Sequence, residues 1–184
     1  MNKSLFLSML LISVLLISGC GKSGTTDGNK DNEAVAVEKG TLVMQITDAP
    51  AALNIQKAEV TISGIQVHQG EVGDTTGAWE NIVTDPKTFD LVAIKDVTAL
   101  IGSADIPVGK YTQVRLSVDK ATAVIDGNTV EMLVPSKEVR LVRGFEIVAG
   151  ETTKLTLDFK AGLSINDIGG GKYVMKPVIK ILQG

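Results

Sequence analysis

The sequence predicts an all-β fold, an antiparallel Greek-key β-sandwich, immunoglobulin-like or prealbumin-like, of about eight to ten strands with at most one short helix. Three observations predict it. From Gly40 onward apolar and polar residues alternate with period two in short runs, and little repeats at helical spacing. Turn residues separate the runs, most clearly Asp126-Gly127-Asn128, which marks a compact hairpin because Gly and Asn accept positive φ cheaply. The alternation also changes phase once, at Ser63-Gly64, in the manner of a bulged strand.

The elements follow in order. Leu42, Met44 and Ile46 form a strand face that ends at Asp48-Ala49-Pro50, since Pro has no N–H to donate and Asp favours turns. Ala58, Val60 and Ile62 share a face with Ile65 and Val67 only if an extra residue is inserted at Ser63-Gly64. Gln69–Ala78 reads as an exposed loop, and a strand follows around Trp79–Val83. Phe89, Leu91 and Ala93 lie on the next strand, after which Lys95–Ser103 is the one segment with helical potential, packing Leu100 and Ile101 inward. Ile106-Pro107-Val108-Gly109 turns the chain into Tyr111–Asp119, a central strand carrying Val114, Leu116 and Val118.

Ala123 and Ile125 then pair with Val130, Met132 and Val134 across the hairpin. Val139–Val142 and Phe145–Val148 read as two short strands, and Leu155, Leu157 and Phe159 as the core face of another. The last strand places Tyr173, Met175, Ile179 and Ile181 on one side and Lys176 and Lys180 on the other. Pro177 and these lysines mark it as a sheet edge protected against further pairing.

The N-terminus carries an address. Lys3 precedes an apolar run from Leu5 to Ile17, followed by the small residues Ser18 and Gly19, which is the pattern of a signal peptide. The run is shorter than the roughly 20 residues that span a bilayer. Leu16-Ile17-Ser18-Gly19-Cys20 resembles the lipobox of bacterial lipoproteins. That resemblance implies cleavage before Cys20, a diacylglyceryl group on its sulfur and a further N-linked acyl chain such as palmitate. Several chains hold a protein at a membrane where one does so only marginally. The expected organisation is therefore a signal peptide at 1–19, a polar flexible tether at 20–39 and one domain at 40–184. Localisation is expected to be extracytoplasmic, and Gly21 resembles the residue that lets Gram-negative lipoproteins proceed to the outer membrane.

Charge and cysteine content narrow the partners. Cys20 is the only cysteine, so the fold is expected to stand without disulfides. With 18 Lys and Arg against 21 Asp and Glu the net charge is −3, and nucleic acid is not an expected partner. The charge is uneven: Cys20–Asp105 holds 6 Lys and 13 acids, whereas from Ile106 onward 11 basic residues meet 8 acids. A basic face toward anionic headgroups or polymers is weighed against scattered, solvated charge.

Thr47-Asp48-Ala49-Pro50, Trp79, Gly109-Lys110-Tyr111-Thr112-Gln113-Val114-Arg115-Leu116, Val134-Pro135-Ser136, Leu157-Asp158-Phe159 and Lys176-Pro177-Val178-Ile179 occur in this order. Together they resemble DUF4382, a prokaryotic lipoprotein domain family of unknown function, over about Gly40 to Ile181. The resemblance implies an exported β-sandwich without an agreed activity. Lys160 stands where that family commonly has a second Asp after the Phe, so half of any cation or ligand pair there is replaced.

Catalytic constellations are sparse. His68 is the only histidine, at the end of a strand, and is expected at the surface or in a hairpin rather than on a metal, because borderline metals take several N or S ligands. Gly21-Lys22-Ser23 imitates the end of a phosphate loop, but Leu16 replaces its first Gly and no strand precedes it. Ser164 lacks the second Gly of a nucleophile elbow.

Asp48 and Asp158 are the metal-ligand candidates, with turn capping as their simpler role. Trp79 is the ligand-binding candidate, with a place in the core as its simpler role. No cofactor and no catalytic residue is expected. The function expected is a non-enzymatic binding or structural module of a lipid-anchored envelope lipoprotein, with an envelope protein or glycan as partner. A hydrolase using Asp48 and Asp158, whose carboxylates would have to lie within about 10 Å, is the first alternative. A calcium-stabilised adhesion module is the second.

Overall fold

The structure, a computed structural model, describes residues 37–48, 54–70 and 76–184. The expected signal peptide, Cys20, the expected tether up to residue 36, Ala49-Pro50 and the centre of the Gln69–Ala78 loop lie outside the described residues.

The chain folds as an all-β sandwich. Strands β1 (Lys39–Asp48), β5 (Ala99–Pro107), β9 (Thr152–Phe159) and β12 (Ile179–Gln183) form one sheet in the order β12-β9-β1-β5. The second sheet centres on two long strands, β2 (Ile55–Gln69) and β6 (Gly109–Ile125). Each of these has its outer neighbour in two pieces. β4 (Lys87–Asp90) and β3 (Trp79–Val83) share the length of β2, while β7 (Asn128–Met132) and β8 (Glu138–Ile147) share β6. A short helix α1 (Ala161–Ser164) leads into the hairpin β10 (Ile165–Gly169) and β11 (Lys172–Met175).

Period-two patterning explains the core. Leu42, Met44 and Ile46 of β1 and Leu155, Leu157 and Phe159 of β9 are fully buried on one side of the core, and Val60, Ile62, Ile65 and Val67 of β2 with Val114, Leu116 and Val118 of β6 on the other. Each large side chain removed from water here contributes about 1.5–3 kcal/mol. At the expected bulge Ile62 pairs with Val118 and Gly64 with Ser117, which leaves Ser63 without a ladder partner. Asp119 is skipped in the facing strand, and the Ser63 hydroxyl donates to its carboxylate at 2.8 Å. The two irregularities thus occupy each other, and both strands return their apolar residues to the core.

The hairpin turn is Asp126-Gly127, both residues at positive φ, between the paired Ile125 and Asn128. β12 pairs only with β9, so the expected edge is found.

Several expectations are corrected. The described residues contain twelve strands rather than eight to ten, because the long strands have segmented neighbours. The sandwich is not antiparallel throughout, since β1 runs parallel to β9 from Thr41 opposite Thr152 to Asp48 opposite Phe159. The segment Lys95–Ser103 is not helical. A turn closes at Leu91–Ile94 and the chain enters β5, burying Ile101 while Leu100 stays exposed, the alternation of a strand. Pairing with β1 overrides the weak local preference. The helix is α1 instead, one turn after β9. Val139–Val142 and Phe145–Val148 merge into β8, the glycine between them being absorbed in a bulge opposite Tyr111 and Gln113. The expected single last strand divides at Lys176–Val178 into β11 and β12, which belong to different sheets.

Tyr111 locks the corner between β5 and β6. Fully buried and stacked on Phe145 at 5.3 Å, it donates its hydroxyl to the Pro107 carbonyl four residues upstream at 2.8 Å. Sandwich folds use the same device as a tyrosine corner. Burial, aided by the Glu80 charge, pushes its phenol up to about 12 from an ordinary 10.0. The folded phenol keeps its proton where the unfolded one loses it, so this stability is complete below pH 10 and is lost as pH rises toward 12. Tyr111→Phe is expected to be about 1 kcal/mol less stable at neutral pH. It should also show a shallower alkaline loss than the parent, read from urea melts between pH 8 and 11.5.

Candidate functional site

The outer face of the second sheet carries a row of polar and aromatic side chains. His68 of β2 pairs across the ladder with Trp79 of β3, the rings 4.8 Å apart and tilted by 50°. The Arg115 guanidinium of β6 lies 3.7 Å over the indole. Glu138 of β8 reaches Arg115 at 3.7 Å and accepts from Arg140 Nε at 2.7 Å. The hydrogen bond from Arg140, with the charges of Arg115 and Arg140, holds the Glu138 carboxyl below its ordinary range against partial desolvation. Arg115 and Arg140 face each other in the β6–β8 register, so Glu138 separates two like charges.

Two expectations are corrected by this row. His68 lies in the β2–β3 hairpin but is 2% exposed rather than at the surface, because Trp79 and the Gly77 backbone cover its ring on the outer face of the sheet. Its Nδ1 has no hydrogen-bond partner, nor has the buried Thr112 hydroxyl. Gly77 permits the close packing: a Cβ there would stand 2.8 Å from His68 Cε1 and collide with the Gln69 carbonyl. Trp79 is half-buried and is not part of the core. One face of its indole is covered by Arg115, so it offers no free stacking platform.

The two candidate carboxylates are not brought together. Asp48 lies opposite Phe159 and Asp158 opposite Thr47 in the same ladder, so the alternation sends them to opposite faces of the sheet. Asp48, 4% exposed, accepts the Ala161 N–H at 2.9 Å and so anchors the start of α1. Asp158 faces outward and pairs with Lys160 at 3.5 Å. Among the described residues no group of three or more His, Cys, Asp or Glu is placed to hold a metal ion. Ser164 is fully buried; its hydroxyl donates to the Lys160 carbonyl and accepts the Val178 N–H, both at 2.9 Å. Those two bonds tie α1 to the start of β12.

One concave feature is a cleft of about 420 Å³ at one end of the sandwich, formed by several chain segments. Ile55 and Ile125, partners across β2 and β6, make its floor with Ile165. Tyr173, half-buried, forms a wall and pairs with Asp167 in the β10–β11 hairpin. Asn54, Asp126, Asn166 and Asp167 surround the rim and are exposed. Two of these groups are held in place: Asn166 donates to the Ser164 carbonyl at 3.1 Å, and Asp167 accepts the Gly169 N–H at 2.7 Å. An apolar floor, one aromatic ring and a few fixed polar groups form the usual composition of a small-ligand site, and the volume lies within its range of roughly 300–1,000 Å³.

Residues 39–177 match the family described as Domain of unknown function (DUF4382). The chain belongs to that family. The DUF4382 match includes β1 through β11, with every cleft residue, and ends before β12. No curated protein matches the chain. A solved leucine-rich repeat protein from Bacteroides thetaiotaomicron is similar over 65% of this chain and 13% of its own length, at 15% identity and a TM-score of 0.30. This chain therefore spans a small fraction of that protein, and at that score the likeness carries no argument.

The cleft was not legible in the sequence. Asn54 lies just before β2, Asp126 in the β6–β7 turn and Asp167 in β10, and nothing in their spacing relates them. The one signal is their type: Asn and Asp side chains, which carry spare hydrogen-bonding capacity, gathered with an aromatic.

Proposed function

We propose that this DUF4382 chain is a lipid-anchored lipoprotein of the cell envelope whose domain binds an uncharged, hydroxyl-rich ligand, a glycan segment, without acting on it. The cleft composition supports the reading. Tyr173 offers an aromatic face for the apolar side of a sugar ring, while two Asn amides and two Asp carboxylates supply donors and acceptors to hydroxyls. Paired acids at the rim disfavour anionic ligands. The Leu16–Cys20 motif supports the anchor, with fatty acids on Cys20 holding the domain on the outer side of the membrane, and at the outer membrane in a Gram-negative cell.

The test is a panel of neutral envelope and extracellular oligosaccharides titrated against the parent and Tyr173→Ala. Saturable binding weakened at least tenfold by the substitution is the expected result; no binding by the parent, or equal binding by both, sinks the proposal. Cys20→Ser is expected to move the protein from the detergent phase to the aqueous phase in a partition assay. Equal partitioning of parent and variant would remove the anchor from the reading.

A further inference from the structure

We infer that a second groove, between the free edges of the two sheets, is a binding site for a phosphate-bearing ligand. Its cavity, about 350 Å³, is lined by Arg140, Leu141, Val142 and Arg143 of β8 and by Ile179, Lys180 and Ile181 of β12. It shares no residue with the Tyr173 cleft and does not depend on the ligand proposed there.

Three observations lead to it. The first is charge. Three of the seven lining residues are cations and none is an acid, in a chain whose net charge is −3. Among the described residues Arg143 and Lys180 have no ion pair. Like charges gathered on two strands from different sheets repel one another, and an anion between them relieves that repulsion. The basic excess of the second half of the sequence thus has a location, where edge strands distant in sequence meet.

The second observation is orientation. Arg140 is fixed by the row on the outer face, its Nε bound to Glu138, which is held in turn by Arg115 stacked on Trp79. A guanidinium positioned in advance loses less conformational freedom on meeting an oxyanion, and Arg is suited to bidentate phosphate contacts. Lys176 and Arg140 also line the adjoining depression beside Pro135 and Pro177, where Glu138, bonded to Arg140, is the acid.

The third observation is the apolar component. Val142 stands between the two arginines at 75% exposure, and Leu141, Ile179 and Ile181 complete the wall. Each strand is paired on one side only, β8 with β6 and β12 with β9, so backbone donors turn toward the groove from both edges. Cations with outward-facing N–H groups suit a phosphate oxyanion. The apolar wall suits the glycerol or acyl portion of a phosphate ester over the bare ion.

The experiment is calorimetric titration of the full chain in nonionic detergent with inorganic phosphate, with glycerol 1-phosphate, and with the same detergent doped with phosphatidylglycerol, against acetate at matched ionic strength. Saturable heat with the phosphate compounds but not with acetate is expected, weakened about tenfold by Arg143→Ala and again by Lys180→Ala. Both positions are exposed and lie outside the core, so the variants should fold, which circular dichroism checks. Tighter binding of phosphatidylglycerol than of the free compounds identifies a lipid headgroup as the source, and equal binding identifies a soluble phosphate. Acetate binding as strongly as phosphate, or affinities unchanged in both variants, overturns the site. Loss of glycan binding in Tyr173→Ala leaves this result untouched, so the two readings fail separately.

Discussion

Phe159→Ala is expected to destabilise the domain by about 3–5 kcal/mol, the range for removing a buried aromatic ring. The side chain is fully buried, and β9 holds it between β1 on one side and β12 on the other. Its ring lies in the same register as Asp48, next to the connection into α1, so the void would open where the two sheets and the short helix meet. Close packing on every side leaves little room for collapse, which places the effect toward the upper end. Chemical denaturation should show a lower midpoint with an unchanged slope. A loss below about 1 kcal/mol would mean that this end of the core is loosely packed. Phe159→Leu, which retains most of the volume, is expected to recover more than half of the loss.

Trp79→Ala is expected to cost about 2–3 kcal/mol, less than a fully buried Trp because the indole is half-exposed. Two losses combine, against one gain. The cation–π contact with Arg115 contributes about 0.5–1 kcal/mol. The apolar area of the indole against the sheet is exposed. His68, whose Nδ1 is already without a partner, is opened to solvent on the side the ring had covered. Opening lets water reach that nitrogen and offsets part of the loss, which keeps the total below the core value.

The distinguishing outcome is at a distance. With the indole gone, Arg115 loses the surface that orients it, Glu138 loses one of its two basic neighbours in fixed position, and Arg140 becomes mobile. Trp79→Ala should therefore weaken phosphate binding at the β8–β12 groove, whereas Trp79→Phe retains a ring beneath Arg115 and should restore most of it. Unchanged phosphate affinity in Trp79→Ala would show that Arg140 is oriented without this row.

Much of the strand content is legible in the sequence itself. The alternations in β1, β2, β6 and β9 are long and regular, and each buries the side that its pattern indicates. The bulge at Ser63 and the Asp126-Gly127 turn were legible because both are local: one is a change of phase, the other a demand for positive φ. Lys95–Ser103 failed for the opposite reason. Its residues have no strong preference of their own, and the free side of β1 decided their state.

His68 and Trp79 depart from their patterns in opposite directions. His68, on the solvent side of its strand, is buried, whereas Trp79, whose size suggests the core, is half-buried on the outer face, because each covers the other across the ladder and Arg115 covers the indole. The two grooves could not have been read at all. One gathers residues from separate segments and the other joins edges of different sheets, and no sequence spacing records either juxtaposition.

By itself, then, the amino-acid order determined that this is a chain of strands with a single cysteine and a DUF4382 pattern, since period, turn chemistry and motif are properties of neighbours along the chain. Only the tertiary structure decided that β1 lies parallel to β9, that Asp48 and Asp158 face away from each other, and that Arg140, Arg143 and Lys180 face one groove. Those outcomes depend on which strands become neighbours. That choice rests on the fit of whole apolar faces across the sandwich, a sum over the core that no short stretch of sequence contains.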